Sequence, residues 1–148
     1  KMKKIILLLF FIVSNCSSLD NTSKVTVCPK LTSPKGTEEI LLLSKNNIET
    51  YVGFRGIKSI CYKKNDREIK MKLQVNLRTI RKNPELDDYL PVTLALVSIN
   101  DNKIEMDRDE FSFEFFLRAN RKLIERKTIM EVIIPKNGEA LLGIIKNN

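Results

Sequence analysis

Cys16, Cys28 and Cys61 are the only thiols, and so the only soft nucleophiles that ionise, in this chain of 148 residues, which contains no histidine. Without histidine, no side chain changes charge near neutral pH unless its surroundings shift it strongly. The cysteines form no C-x-x-C pair, so the spacing of a zinc site is missing. The densest acidic cluster is Glu105, Asp107, Asp109 and Glu110, whose carboxylates could hold a hard cation. It lacks the glycine and spacing of an EF-hand loop, and a solvated connection between strands explains it better. Glu85, Asp87 and Asp88 form a looser group that another carboxylate could join for acid–base work. There is no G-x-S-x-G, no glycine-rich phosphate loop and no tryptophan, and glycines number only five. The residue types therefore predict no enzyme, no metal site and no cofactor.

Cys16 closes an N-terminal segment of distinct composition. Lys1, Lys3 and Lys4 precede an apolar run from Ile5 to Val13, which Ser14 and Asn15 follow. As a helix that run spans about 14 Å, half of a bilayer core of ~30 Å, so it is too short for an ordinary transmembrane helix. Positive charge, apolar run and small polar residues follow the order of a secretory signal. Val13-Ser14-Asn15-Cys16 resembles a bacterial lipobox, with Asn15 its one departure from the usual small residue before the cysteine. The resemblance implies cleavage before Cys16 and acylation of its sulfur, with a membrane anchor as the consequence. It divides the chain into a signal peptide at 1–15, a polar tether at 16–23 and a folded domain at 24–148. Ser17 after the cysteine leans toward the outer membrane, facing the periplasm.

With Cys16 acylated, Cys28 and Cys61 remain as a pair, and an oxidising periplasm favours a disulfide between them. Two buried free thiols are the alternative. Loss of the three signal lysines lowers the formal net charge from +8 to +5. The remaining lysines and arginines are spread along alternating strand positions without a compact stripe, which argues against nucleic acid. A solvated charged surface accounts for them, although basic residues near a tether could approach anionic headgroups.

The elements that must position these residues are strands. Ile69, Met71, Leu73, Val75 and Leu77 alternate with Lys70, Lys72, Gln74, Asn76 and Arg78, the period of a half-buried strand. Phe111, Phe113, Phe115 and Leu117 repeat it as core, while Phe116 points the other way as a candidate protein contact. Val92 to Ile99 is almost continuously apolar and predicts a covered central strand, with Pro91 as its first residue. Asn100-Asp101-Asn102 and Lys64-Asn65-Asp66 read as turns able to take positive φ, and Gly53 and Gly56 as a bulge or bend. Glu38 to Lys45 is ambiguous between strand and short helix. Tyr51, Tyr62 and Tyr89 are placed to pin corners or line a ligand site. About eight short strands without an amphipathic helix predict an all-β fold, an antiparallel two-sheet sandwich of immunoglobulin-like arrangement.

Val27-Cys28-Pro29, Tyr51-Val52-Gly53 and Ser59-Ile60-Cys61-Tyr62, with the strands at Ile69–Leu77 and Tyr89–Ile99, resemble a family of uncharacterised alphaproteobacterial lipoproteins. The resemblance implies a secreted β-sandwich and brings no catalytic residues with it. The expected function is a lipid-anchored interaction or structural module of the cell envelope, held to the membrane by its lipid and meeting an envelope protein partner. The alternative is a periplasmic ligand-binding or weakly enzymatic sandwich.

Overall fold

A computed structural model of the chain describes residues 24–146, and Cys16 with the signal and tether lies outside them. Alternating apolar and polar residues dictate strands almost throughout. In chain order these are β1 (Val25–Thr26), β2 (Leu31–Thr32), β3 (Glu39–Leu43), β4 (Glu49–Lys63), β5 (Glu68–Arg81), β6 (Asp88–Ile99), β7 (Glu105–Leu117), β8 (Leu123–Pro135) and β9 (Glu139–Ile145). The segment Glu38 to Lys45 forms a strand, because pairing Glu39–Leu43 with Glu49–Gly53 of β4 satisfies its backbone and sends Leu42 into the core.

Two sheets face each other. One has the order β1-β4-β5-β8 with β3 also on β4, and the other the order β2-β9-β6-β7. The chain crosses between sheets after β1, β2, β5, β7 and β8, and the last three crossings place β5 beside β8 in one layer and β6 beside β9 in the other. This is an immunoglobulin-like sandwich with one substitution of parts: where that fold sets its last strand antiparallel, the short β2 runs parallel to β9. All other strand pairs are antiparallel.

The core is the inward face of each layer. Met71, Leu73, Val75 and Leu77 of β5 and Met130 and Ile134 of β8 pack against Leu90, Leu94 and Leu96 of β6 and Leu142 of β9, all wholly buried. Of the phenylalanine series, Phe115 is buried, Phe113 is half-buried and Phe111 is exposed, because β7 runs outward along the sheet edge. Pro91 lies inside β6, fourth from its start. The β9 ladder begins only at Thr93, so the missing N–H of Pro91 falls where β6 has no partner on that side. Gly53 and Gly56 flank a register shift between Phe54 and Gly56, as a bulge requires.

The β6–β7 turn places its positive φ of 62° on Lys103 rather than on an asparagine or aspartate. Asn100 supplies the compensation: its Oδ1 accepts the Ile104 N–H at 3.0 Å and its carbonyl accepts that of Lys103 at 3.0 Å. Asn47 in the β3–β4 hairpin, Asn120 in the β7–β8 connection and Asn137 in the β8–β9 connection take φ near 60°, where a short polar side chain tolerates it.

Two buried devices close the ends. Cys28 and Cys61 form a disulfide that ties the N-terminal segment to β4 across a separation of 33 residues. Arg81 is wholly buried at the opposite end of β5, with Nη1 donating to the carbonyls of Leu117 and Arg118 and Nη2 to that of Leu86. It joins the β5–β6 connection to the end of β7 and the β7–β8 connection, which the Ala119 N–H donating to Asp87 also links. Reduction of the disulfide, or a Cys28→Ala/Cys61→Ala pair, is expected to lower unfolding free energy by about 3 to 4 kcal/mol in urea titrations. Arg81→Met, which leaves three carbonyls without a donor, is expected to cost about 3 kcal/mol by the same measurement.

Candidate functional site

The two layers differ on their outer faces. The outward positions in the middle of the β6–β9 ladder are apolar or glycine, Ala95 and Val97 on β6 opposite Gly143 and Leu141 on β9, with the pairs Thr93–Ile145 and Ile99–Glu139 at its two ends. Sheets with apolar residues on both faces call for cover on both. Here the cover is partial, and it leaves a groove of about 600 Å³ along the outer face.

One bank of the groove is the connection from β2 to β3. Its turn closes on itself, with the Thr37 N–H and Oγ1 both donating to the Pro34 carbonyl at 3.0 and 2.7 Å. Gly36 within it has φ of +80°, a conformation that costs a side-chain-bearing residue about 1 kcal/mol or more. The Thr37 carbonyl then accepts the Ile144 N–H at 2.8 Å and docks the turn on β9. Docking depends on glycine at 143, since a Cβ there would stand 2.9 Å from Thr37 Oγ1 and 3.0 Å from its Cβ.

The other bank is charged but internally neutralised. Arg108 of β7 reaches Glu105 through Nε and Nη2 at 2.8 and 2.9 Å and Glu110 through Nη1 at 3.4 Å. The Arg108 hydrogen bond holds the Glu105 carboxyl below its ordinary range, and Lys103 does the same to Glu139. A lowered carboxylate pKa means these pairs contribute above the unfolded carboxylate value and fade as pH falls through the folded one. Glu105 is solvent-exposed and Glu139 half-buried beside the exposed Lys103, so the contribution is small. With Arg108 and Lys103 already paired, this bank leaves the apolar floor as the main attraction, and Lys146 at the end of β9 is the lining cation without an ion pair among the described residues. The geometry suits an apolar side chain or short apolar ligand laid across β6 and β9.

The residues singled out from sequence are distributed as follows. Cys28 and Cys61 are joined, while the predicted acylation site Cys16 lies outside the described residues. Glu105 and Glu110 flank Arg108, whereas Asp107 and Asp109 turn toward the other sheet, accepting the N–H groups of Ile133 and Glu131 at 2.7 and 2.8 Å. Among the described residues no group of three or more metal-binding side chains is assembled. Asp87 and Asp88 are likewise acceptors for backbone, Asp87 for Ala119 and Asp88 for Tyr89 and Asn46. Tyr51 and Tyr89 are exposed rather than pinned into corners, and Tyr89 rests on the exposed Phe116 with a ring separation of 5.2 Å. The groove itself was missed. Its signal is the near-continuous apolar character of Val92–Ile99, which predicts only a covered strand, together with that of Leu141–Ile145.

No family model matches the chain, and neither the curated proteins nor the solved structures contain a significant match to it.

Gly143→Ala is expected to lose about 1 to 2 kcal/mol by pushing the Pro34–Thr37 turn off β9. Pairing it with Thr37→Gly should restore most of that loss in urea titrations, because the clash is with the Thr37 side chain alone.

Proposed function

We propose that this chain is a lipid-anchored protein of the cell envelope, acylated at Cys16 and facing the periplasm, whose sandwich is an interaction module. The observation that carries the interaction role is the apolar groove over β6 and β9, bounded by a turn that glycine at 143 allows to dock. Uncovered apolar surface of this kind is characteristic of contact sites. Its partner would be an envelope protein presenting apolar side chains, and the reading assigns the chain no catalysis.

Placement outside the cytoplasm is supported by the Cys28–Cys61 disulfide, a bond that persists in oxidising compartments. It is supported separately by the lipobox resemblance at Val13–Cys16, with Ser17 favouring the outer membrane. The groove volume of about 600 Å³ also falls in the range of small-molecule sites, which supports a periplasmic ligand-binding module as the second reading.

Metabolic labelling with radioactive palmitate in a bacterial host is expected to mark the chain and place it in the membrane fraction. Cys16→Ser should lose both, and label surviving that substitution would overturn the anchor. For the groove, a photocrosslinker at Val97 is expected to yield one discrete envelope-protein adduct that Leu141→Asp removes. A metabolite that raises the melting temperature, with no such adduct, would favour the ligand-binding reading instead.

A further inference from the structure

The lysines that lie scattered along the sequence converge in the fold. Directly opposed residues of an antiparallel pair share a face, and Met71, Leu73, Val75 and Leu77 of β5 all point inward. Lys70, Lys72, Gln74 and Asn76 therefore point outward. Their partners on β4 are Tyr62, Ile60, Lys58 and Gly56, and those on β8 are Ile133, Glu131, Ile129 and Lys127. This half of the outer face thus gathers four lysines from three strands around Glu131, with the Asp107 and Asp109 carboxylates at its β8 edge. Lys70 and Lys72 both reach Glu131, at 2.6 and 3.7 Å, while Lys58 and Lys127 make no ion pair among the described residues.

The same half-face exposes isolated apolar side chains between the lysines. Ile129 is 59% and Ile60 is 50% exposed, and Val25 of the adjoining β1 is 66% exposed. Lysines interleaved with protruding aliphatic groups match the interface of a bilayer: the ammonium groups meet phosphates and the aliphatic groups enter the headgroup layer. The tether leaves from this corner as well. Val25 pairs with Tyr62, and the Lys24 carbonyl accepts the Lys63 N–H at 2.9 Å. The eight residues from Cys16 to Lys24 reach about 27 Å when extended, enough to bring an acylated Cys16 beneath this face.

We propose that the β1-proximal half of the outer β4-β5-β8 face, centred on Lys58, Lys72, Lys127, Ile60 and Ile129, rests on a bilayer containing anionic phospholipid. The charge complementarity and the exit of the tether single out this occupant. The sandwich then lies flat, and because the groove is on the opposite layer it opens away from the membrane toward the periplasm. This orientation rests on the envelope placement proposed above, but the contact itself does not depend on the lipid.

The test uses the mature chain from position 16 with Cys16→Ser, exported behind a conventional cleavable signal so that no acyl chain contributes. It is expected to cosediment with phosphatidylcholine vesicles containing about one-third phosphatidylglycerol, not with phosphatidylcholine alone, and to be released at about 1 M salt. Reversal of the face with Lys58→Glu/Lys72→Glu/Lys127→Glu should weaken partitioning at least about tenfold, whereas the same charge change at the far end, Arg118→Glu/Arg121→Glu/Lys122→Glu, should change it less than about threefold. Ile129→Ser should weaken it measurably without altering net charge. Equal weakening by both triple variants, no preference for phosphatidylglycerol, or tighter binding to a duplex oligonucleotide than to the vesicles would each overturn the proposal. If the first triple variant fails to fold by circular dichroism, Lys127→Glu, on an exposed position, carries the same comparison against Arg121→Glu. Absence of palmitate label from the unsubstituted chain, or label that survives Cys16→Ser, would sink the anchor and leave this contact standing, so the two failures are distinguishable.

Discussion

The apolar alternation of β5 is the constraint on which the rest of the structure depends. Met71, Leu73, Val75 and Leu77 are wholly buried, and the same alternation carries Thr79 and Arg81 inward after them. A strand with one apolar face must bury it, and β6, the next strand in the chain, can cover that face only from the opposite layer. The crossing from β5 to β6 therefore sets the two-layer architecture. It also draws Arg81 into the interior, where no apolar neighbour can satisfy it. Its guanidinium instead binds three backbone carbonyls and makes the far end of the sandwich a single unit.

Sandwiches expose strand edges, and this one manages each by a different means. On one side β7 and β8 meet without forming a ladder. Asp107 and Asp109 accept two β8 N–H groups, Ser98 Oγ donates to the Ile133 carbonyl at 2.7 Å, and Arg126 donates to the Glu114 carbonyl at 3.1 Å. The acidic cluster that suggested cation binding is in part a side-chain substitute for a missing strand partner. On the other side β1 and β3 cover the two ends of β4, β2 lies along β9, and the disulfide secures the segment that carries them. Edge protection by an N-terminal strap leaves the outer face of β6 and β9 only partly covered, which is how the groove arises.

Much of the fold was legible because β period and burial are local properties of the chain. The β5 alternation, the bulge at Gly53 and Gly56 and the turns near Asn100 and Asn137 follow from residue types over a few positions. Glu38 to Lys45 was not legible, since Ile40 to Leu43 suits a helix turn as well as a strand and only the free edge of β4 decides between them. Phe111 read as core from its period, yet it lies where β7 passes beyond its cover. The positive φ at Lys103 was hidden because the residue that stabilises it, Asn100, acts through a turn hydrogen bond rather than through its own backbone.

From the sequence alone came the all-β class, the inward face of each long strand and the presence of two cysteines available to pair, since side-chain alternation and residue chemistry need no knowledge of neighbours. Tertiary structure alone decided which outward residues become neighbours. Lys58, Lys72 and Lys127 are far apart along the chain and share a face only because β4, β5 and β8 align in register. Ala95, Val97 and Leu141 form a groove only because β6 and β9 pair in one sheet while the Pro34–Thr37 turn docks beside them. A strand's own sequence specifies what lies above and below it, whereas what lies beside it is set by pairing with distant segments, and surface sites are made from that lateral order.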